Sequence, residues 1–134
     1  MQEFVTDNGL SSIVHFHNAV DNEPLKQKLQ QAHVLIVPSS YEGFGIVYLE
    51  GMAFGLPAIG TTAGAAGEII QHEKTGFLIN PSDSETLATY ISQLATDRNL
   101  LTDLSLNARK RYIQQPSWNE TAGQIRAFLQ SMIR

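Results

Sequence analysis

Short runs of β-branched and apolar residues alternate along the chain with stretches whose apolar positions recur every three or four residues. Ile13-Val14-His15-Phe16-His17 and Val34-Leu35-Ile36-Val37 read as strands, Pro57-Ala58-Ile59-Gly60-Thr61 as a weaker one, and Gly76-Phe77-Leu78-Ile79 as another. Between the first two, the spacing predicts a helix of about ten residues, opened by Asn22 as N-cap, with Leu25 and Leu29 on one face. Between the second and third it predicts a helix over Ile46–Phe54, ended by Gly55. A short helix over Glu68–His72 joins the third to the fourth. Strand-helix-strand units of this length imply an α/β fold: a Rossmann-like parallel sheet of about four strands with flanking helices.

The C-terminal part carries helices only. Ser82-x-x-Glu85 reads as a capping box before Leu87, Ile91 and Leu94. Leu101, Leu104, Ala108 and Tyr112 form the stripe of a second helix. Ser117-x-x-Glu120 opens a third, with Ala122, Ile125, Leu129 and Met132 at helical spacing. All three stripes are assigned to packing. No internal repeat, low-complexity tract or linker interrupts the pattern.

Composition narrows the function classes. The 134 residues suit one domain with a real core. Nine basic against thirteen acidic side chains leave a net charge of −4, and the densest basic cluster, Arg109-Lys110-Arg111, reads as a solvated helix face. That argues against a nucleic-acid surface. Without cysteine there are no disulfides and no thiolate metal sites. No run approaches a membrane span and the N-terminus lacks a signal pattern, so a soluble, cytoplasmic chain is expected.

The stretch SSYEGFGIVYLEGM, residues 39–52, holds the chemistry. A strand ends at Pro38 and a loop begins at Ser39. Gly43 and Gly45 let that loop turn tightly and bring backbone close to a ligand. A helix then starts, and its first amides, lacking intrahelical partners, favour an anion. In open parallel sheets such loops, at the carboxyl ends of strands, are where ligands bind. Glu42 lies in the loop and Glu50 on the second turn of the helix, among Ile46, Val47, Leu49, Met52, Ala53 and Phe54. A helix apolar all round is expected to be buried, so Glu50 needs partners or a raised pKa. Gly51, costly in mid-helix, implies a close approach. Amides flanked by two hydroxyl-accepting carboxylates would suit a ligand carrying phosphate and vicinal hydroxyls, as a nucleotide sugar does. The other reading is a capped helix whose Glu50 bonds a neighbouring amide, lysine or arginine.

Other candidates are weaker. His15 and His17 share a strand face without an evident third metal ligand, so no metal site is assigned. His33 and His72 read as surface residues, and Ser39 and Ser40 as loop hydroxyls, the Gly-x-Ser-x-Gly elbow being absent. Glu68 suits the N-terminus of its short helix. Dinucleotide and Walker fingerprints are missing.

The stretch VLIVPSSYEGFGIVYLEGMAFGLPAIGTTAGAAGEIIQHEKTGFLINPSDSETLA resembles the group-1 family of retaining glycosyltransferases with the GT-B fold. The motifs follow in order: Pro-Ser, Glu-Gly-Phe-Gly, a spaced glutamate, Gly-Leu-Pro, a Gly-rich turn with glutamate, and Thr-Gly-Phe-Leu. IVHFHNAV upstream and PSWNETAGQI downstream also fit. The resemblance implies that Glu42, the residue assigned to catalysis, bonds donor-sugar hydroxyls. It implies that Gly43, Phe44, Gly45 and Ile46 line the sugar and phosphate pocket and that Glu50 binds ribose hydroxyls. It also puts the turn around Asn18, Ala19 and Val20 near the nucleobase. The donor would be a nucleotide-diphosphate sugar, used without cofactor or metal. The acceptor would be a sugar or lipid-linked glycan, and the parent protein could sit peripherally at a membrane.

Three departures from the family pattern stand out. Gly64-Ala65-Ala66-Gly67-Glu68 replaces a turn with two adjacent glycines, and Asn18 stands where glycine is common. The chain also begins after the strands that normally carry a Gly-Arg and a lysine on the diphosphate. It is therefore expected to be a truncated half of a GT-B fold, the distal part of a donor-binding domain, inactive alone and prone to self-association. The alternative is a non-catalytic nucleotide- or protein-binding module.

Overall fold

The computed structural model describes Met1–Ile133. The chain divides into two compact units, the first being Met1–Gln31 and the second starting at Ala32.

The first unit holds α1 (Gln2–Asp7) and α2 (Asn22–Gln31). α1 is absent from the sequence reading. The strand expected over residues 13–17 does not form. The amides of Ile13 and Val14 both donate to the Leu10 carbonyl, at 3.0 and 2.9 Å, so they are unavailable to a ladder. Residues 14–21 take no regular structure. α2 forms where its pattern predicts, but one residue earlier than the cap expected: the Asp21 carbonyl takes the Leu25 amide, and Asn22 is already helical. No residue of α2 is buried.

The second unit is built on three strands, not four: β1 (Leu35–Val37), β2 (Ala58–Thr61) and β3 (Gly76–Ile79), all parallel, in the order β1-β2-β3. Between them run α3 (Ile46–Ala53) and the single turn α4 (Ala66–Ile69). α4 begins two residues before the helix expected there. After β3 come α5 (Ser84–Thr96), α6 (Arg98–Ile113) and α7 (Trp118–Met132).

Every residue of the central strand β2 is buried. The two-residue period of the strands divides the core accordingly. Ala58 joins Tyr48, Leu49 and Met52 of α3 and Ile69 of α4. Ile59, with Phe77 and Ile79 of β3, meets Leu94 of α5 and Leu101 and Leu104 of α6. α6 also reaches the first cluster through Ala108. Gly51 explains itself here: a Cβ on it would come within 2.8 Å of the Leu35 side chain, so its absence lets α3 lie close over β1. At the C-terminal end of α3, Arg109 donates to the Ala53 carbonyl and Ser105 donates to that of Gly55 at 2.7 Å. The basic cluster of α6 is thus partly a helix-end clamp, which the solvated-face reading missed.

α5 is capped by Asp83, not by Ser82. The Asp83 carboxylate takes the Thr86 amide at 3.0 Å and the Thr86 hydroxyl at 2.8 Å, while Ser82 sits at a positive φ of 64°. Those two bonds hold the Asp83 carboxyl below the usual carboxylate range, the amide contributing most. A carboxyl depressed on folding stabilises fully above its unfolded pKa, and the contribution is lost as pH falls through the lower folded value. Asp83→Ala should therefore unfold at lower denaturant than the parent chain near neutral pH. The gap should close on acidification. Denaturant melts followed by circular dichroism across that range check this, and a gap independent of pH would contradict it.

The Ser117–Glu120 box forms as expected, Ser117 Oγ accepting the Glu120 amide at 3.3 Å and Glu120 accepting the Ser117 amide at 2.7 Å. The packing assigned to α7 does not. Ile125, Leu129 and Met132 are exposed, and no described residue of the helix is buried. No helix among the described residues is long and apolar enough to cross a membrane.

Candidate functional site

The loop between β1 and α3 is fixed from below by buried side chains. Thr61, at the end of β2, donates its hydroxyl to the Ser39 carbonyl at 2.6 Å. Glu42 is tied to the next loop by backbone alone. Its amide donates to the Ala63 carbonyl at 3.3 Å, and its carbonyl accepts the Ala65 amide at 2.9 Å. This forms a parallel bridge with Gly64. Gly64 has a φ of +84°, and a Cβ there would lie 2.1 Å from the Glu42 carbonyl oxygen. The glycine is required by both conformation and space.

Glu42 is half-buried, and its carboxylate accepts the Gly45 amide at 3.2 Å. A negative charge therefore already rests at the N-terminus of α3, where amides and helix dipole favour it. Gly45 itself is buried at a φ of +77°. Gly43 differs from the role assigned to it. Its φ is not positive, and a Cβ there would meet nothing within 4 Å. Its backbone faces open space, so it is not what makes the turn. Phe44 and Ile46, each 58% exposed, flank the same helix start.

Glu50 departs most from expectation. It is exposed, not buried, and its side chain makes no hydrogen bond or ion pair among the described residues. The apolar faces of α3 point inward through Tyr48, Leu49 and Met52, while Ile46 and Glu50, one turn apart, share the outward face. The cost of burying a carboxylate does not arise. Nor does the Glu50 side chain bond a neighbouring amide, lysine or arginine, as the alternative reading had it. Its Cα–Cβ bond tilts toward the helix N-terminus, the end that carries Glu42. Val20 belongs to the first unit and is exposed.

Sequence reasoning missed Tyr48. Its ring is fully buried, and its hydroxyl donates to the Val37 carbonyl at 3.3 Å. The signal was available as an aromatic three residues after Gly45 in an inward position. His72, read as a surface residue, is exposed but has a structural task. Its Nδ1 accepts the Leu78 amide of the edge strand β3 at 3.0 Å, and its ring meets Phe77 and Tyr90 edge-on. His17 Nε2 lies 3.1 Å from Lys28 Nζ within the first unit.

A depression of about 260 Å³ lies at the other end of the strands, before β1 and β2, lined by His33, Phe54, Leu56, Arg98 and Leu101 among others. The hydroxyls at its wall, Thr102 and Ser105, already donate to the Arg98 and Gly55 carbonyls. It carries no comparable convergence of amides and acids.

A parallel sheet whose strand-end loop opens a helix, beside an acid held there and another one turn along, defines a Rossmann-like α/β protein. The family described as glycosyl transferases group 1 matches residues 1–111, and the chain belongs to it. It is 31% identical over 133 residues to the MMP alpha-(1->4)-mannosyltransferase of Mycolicibacterium hassiacum, covering 98% of this chain and 32% of that protein. Among solved structures it is similar to HepE of Anabaena in complex with UDP-glucose, with a TM-score of 0.84 and 28% identity over 97% of this chain and 35% of that one. It is also similar to the C-terminal domain of the group 1 family protein LpcC of Francisella tularensis. There the TM-score is 0.79 and the identity 27%, over 85% of this chain and 59% of that one. The chain spans about a third of the length of the first of these relatives. The fold is the α/β arrangement of GT-B glycosyltransferases, as its motifs imply.

Proposed function

We propose that this chain is the distal part of the donor-binding domain of a retaining glycosyltransferase. The parent enzyme moves a hexose from a nucleotide-diphosphate sugar to an acceptor hydroxyl. The observation that carries this is the start of α3. A half-buried carboxylate occupies one helix-terminal amide, and an unpaired, exposed glutamate stands a turn beyond.

Glu42 accepts donor-sugar hydroxyls. The backbone of Gly43, Phe44, Gly45 and Ile46 faces the diphosphate, and Glu50 accepts the ribose hydroxyls. The departing diphosphate is stabilised electrostatically by these amides, with no protein nucleophile and no metal. The acceptor, a sugar or lipid-linked glycan, meets the donor on a part of the enzyme outside this chain. Donor binding by this polypeptide is accordingly weak, it has no transfer activity alone, and it works in the cytoplasm. The mannosyltransferase and the UDP-glucose complex among its relatives support a hexose and a nucleoside diphosphate.

Titration of the chain with UDP-glucose and with GDP-mannose, followed by amide NMR, tests this. One of the two should shift the amides of Gly43–Val47. A carboxylate–hydroxyl bond is worth about 1.5–3 kcal/mol, so Glu42→Ala or Glu50→Ala should weaken binding about tenfold or more. Unchanged affinity in both variants, or shifts confined to other surfaces, would count instead for a non-catalytic module. Turnover by the isolated chain would contradict its inactivity.

A further inference from the structure

We propose that Tyr48 is a positioning residue for the donor loop, holding the Glu42–Gly45 turn in place from beneath. This rests on the donor-site reading above only for what the loop binds; the positioning itself stands on geometry.

The ring spans three elements. At one end it lies under the turn: a Cβ on Gly45 would be 2.7 Å from Tyr48 Cδ2 and 2.9 Å from Cε2. At the other it lies against the central strand: a Cβ on Gly60 would be 2.7 Å from the Tyr48 hydroxyl and 3.0 Å from Cζ. The hydroxyl itself donates to the Val37 carbonyl at the end of β1, one residue before the loop departs. Two glycines, one in the turn and one in β2, thus make room for one ring. A leucine could fill apolar space here but could not reach the Val37 carbonyl.

The polar end of the ring is coupled to the site. Burial pushes the Tyr48 hydroxyl above its ordinary pKa, and the nearby Glu42 charge raises it further. Near neutral pH the tyrosine is therefore a neutral donor. Together with the Thr61 hydroxyl on Ser39, this bond fastens both ends of the short run from Val37 to Ser39.

Tyr48→Phe keeps the ring and removes the bond, so the chain should fold. In the ligand-free variant, amide exchange at Glu42–Val47 should quicken about fivefold beyond any change in β2, β3 and α6. Affinity for whichever of UDP-glucose and GDP-mannose the parent chain binds should fall by a similar factor. In Glu42→Gln, ultraviolet titration should show Tyr48 ionising at lower pH than in the parent chain. If Tyr48→Phe changes exchange uniformly with global stability, or leaves the loop unchanged, Tyr48 is an ordinary core residue and the proposal is wrong. If the loop loosens as expected but the parent chain binds neither UDP-glucose nor GDP-mannose, the positioning role holds and the donor reading fails.

Discussion

Gly64→Ala is expected to abolish donor binding while leaving most of the second unit folded. The added Cβ would stand 2.1 Å from the Glu42 carbonyl oxygen and within 3.0 Å of two further backbone atoms of Glu42. Backbone cannot swing aside as a side-chain tip can. The left-handed φ of +84° adds a penalty of about 1–2 kcal/mol for any residue with a Cβ. The bridge between the loops must open, and Glu42 then loses both backbone anchors and its register with the Gly45 amide. Affinity for whichever of UDP-glucose and GDP-mannose binds should fall by far more than the tenfold expected for removing either glutamate side chain, because sugar and phosphate contacts fail together. Gly67→Ala is the internal comparison. A Cβ there meets only Leu78 Cδ1 at 3.7 Å, an ordinary contact, and alanine suits the helical turn α4 better than glycine does. It should bind as the parent chain does and melt no lower. Calorimetric titration and thermal melts of the pair decide the matter; equal binding by Gly64→Ala would mean that the Glu42 register is irrelevant to the site.

That pair also settles what the unusual Gly64-Ala65-Ala66-Gly67 turn does. Ala65 has a φ of −84°, open to any residue. Within this turn only Gly64, at a φ of +84°, bears a conformational demand.

How much of this was readable beforehand follows from which physical signal each feature leaves. β3 was legible to the residue because an uninterrupted apolar run between turn signals has few alternatives. α3, with its Gly55 end, was legible from its cap. Residues 13–17 misled because a β-branched run states only a preference for extended backbone. A strand also needs a ladder partner, and here the Ile13 and Val14 amides turn back to Leu10. Glu50 misled for a related reason: a helix with apolar residues at nearly every position was read as buried throughout. Yet Ile46 is 58% exposed, and composition does not reveal which face looks outward. α7 shows the same limit. Its stripe is real, but amphipathicity records a face that prefers cover without saying what covers it. The shape of the loop after β1, with its left-handed Gly45, held Glu42 carboxylate and helix start, was legible because glycine, acid and helix start are local features. The burial of its members was not, since that depends on residues far along the chain.

The largest loss of stability is expected from a glycine outside the site. Gly76→Ala would place a Cβ 1.9 Å from the Ala58 carbonyl oxygen and 2.7 Å from the Ala58 nitrogen, with φ at +153°. Ala58 is paired with Gly76 in the β2–β3 ladder and with Leu35 in the β1–β2 ladder, so it cannot yield without disturbing both. Overpacking of a core costs about 1–3 kcal/mol where side chains can adjust. Here the obstacle is the backbone of the fully buried central strand, and the cost should exceed that range. With total stabilities of about 5–15 kcal/mol for ordinary domains, the variant should be largely unfolded or melt far below the parent chain. Gly123→Ala provides the contrast: nothing lies within 4 Å of its Cβ position, in the middle of α7, and helix propensity favours alanine by about 1 kcal/mol. Far-UV circular dichroism during chemical unfolding should show Gly123→Ala unchanged or slightly more stable. If Gly76→Ala unfolds at the same denaturant concentration as the parent, then β3 does not lie against β2 in the register described, and the face of the core formed by Ile59, Phe77 and Ile79 is wrongly assembled.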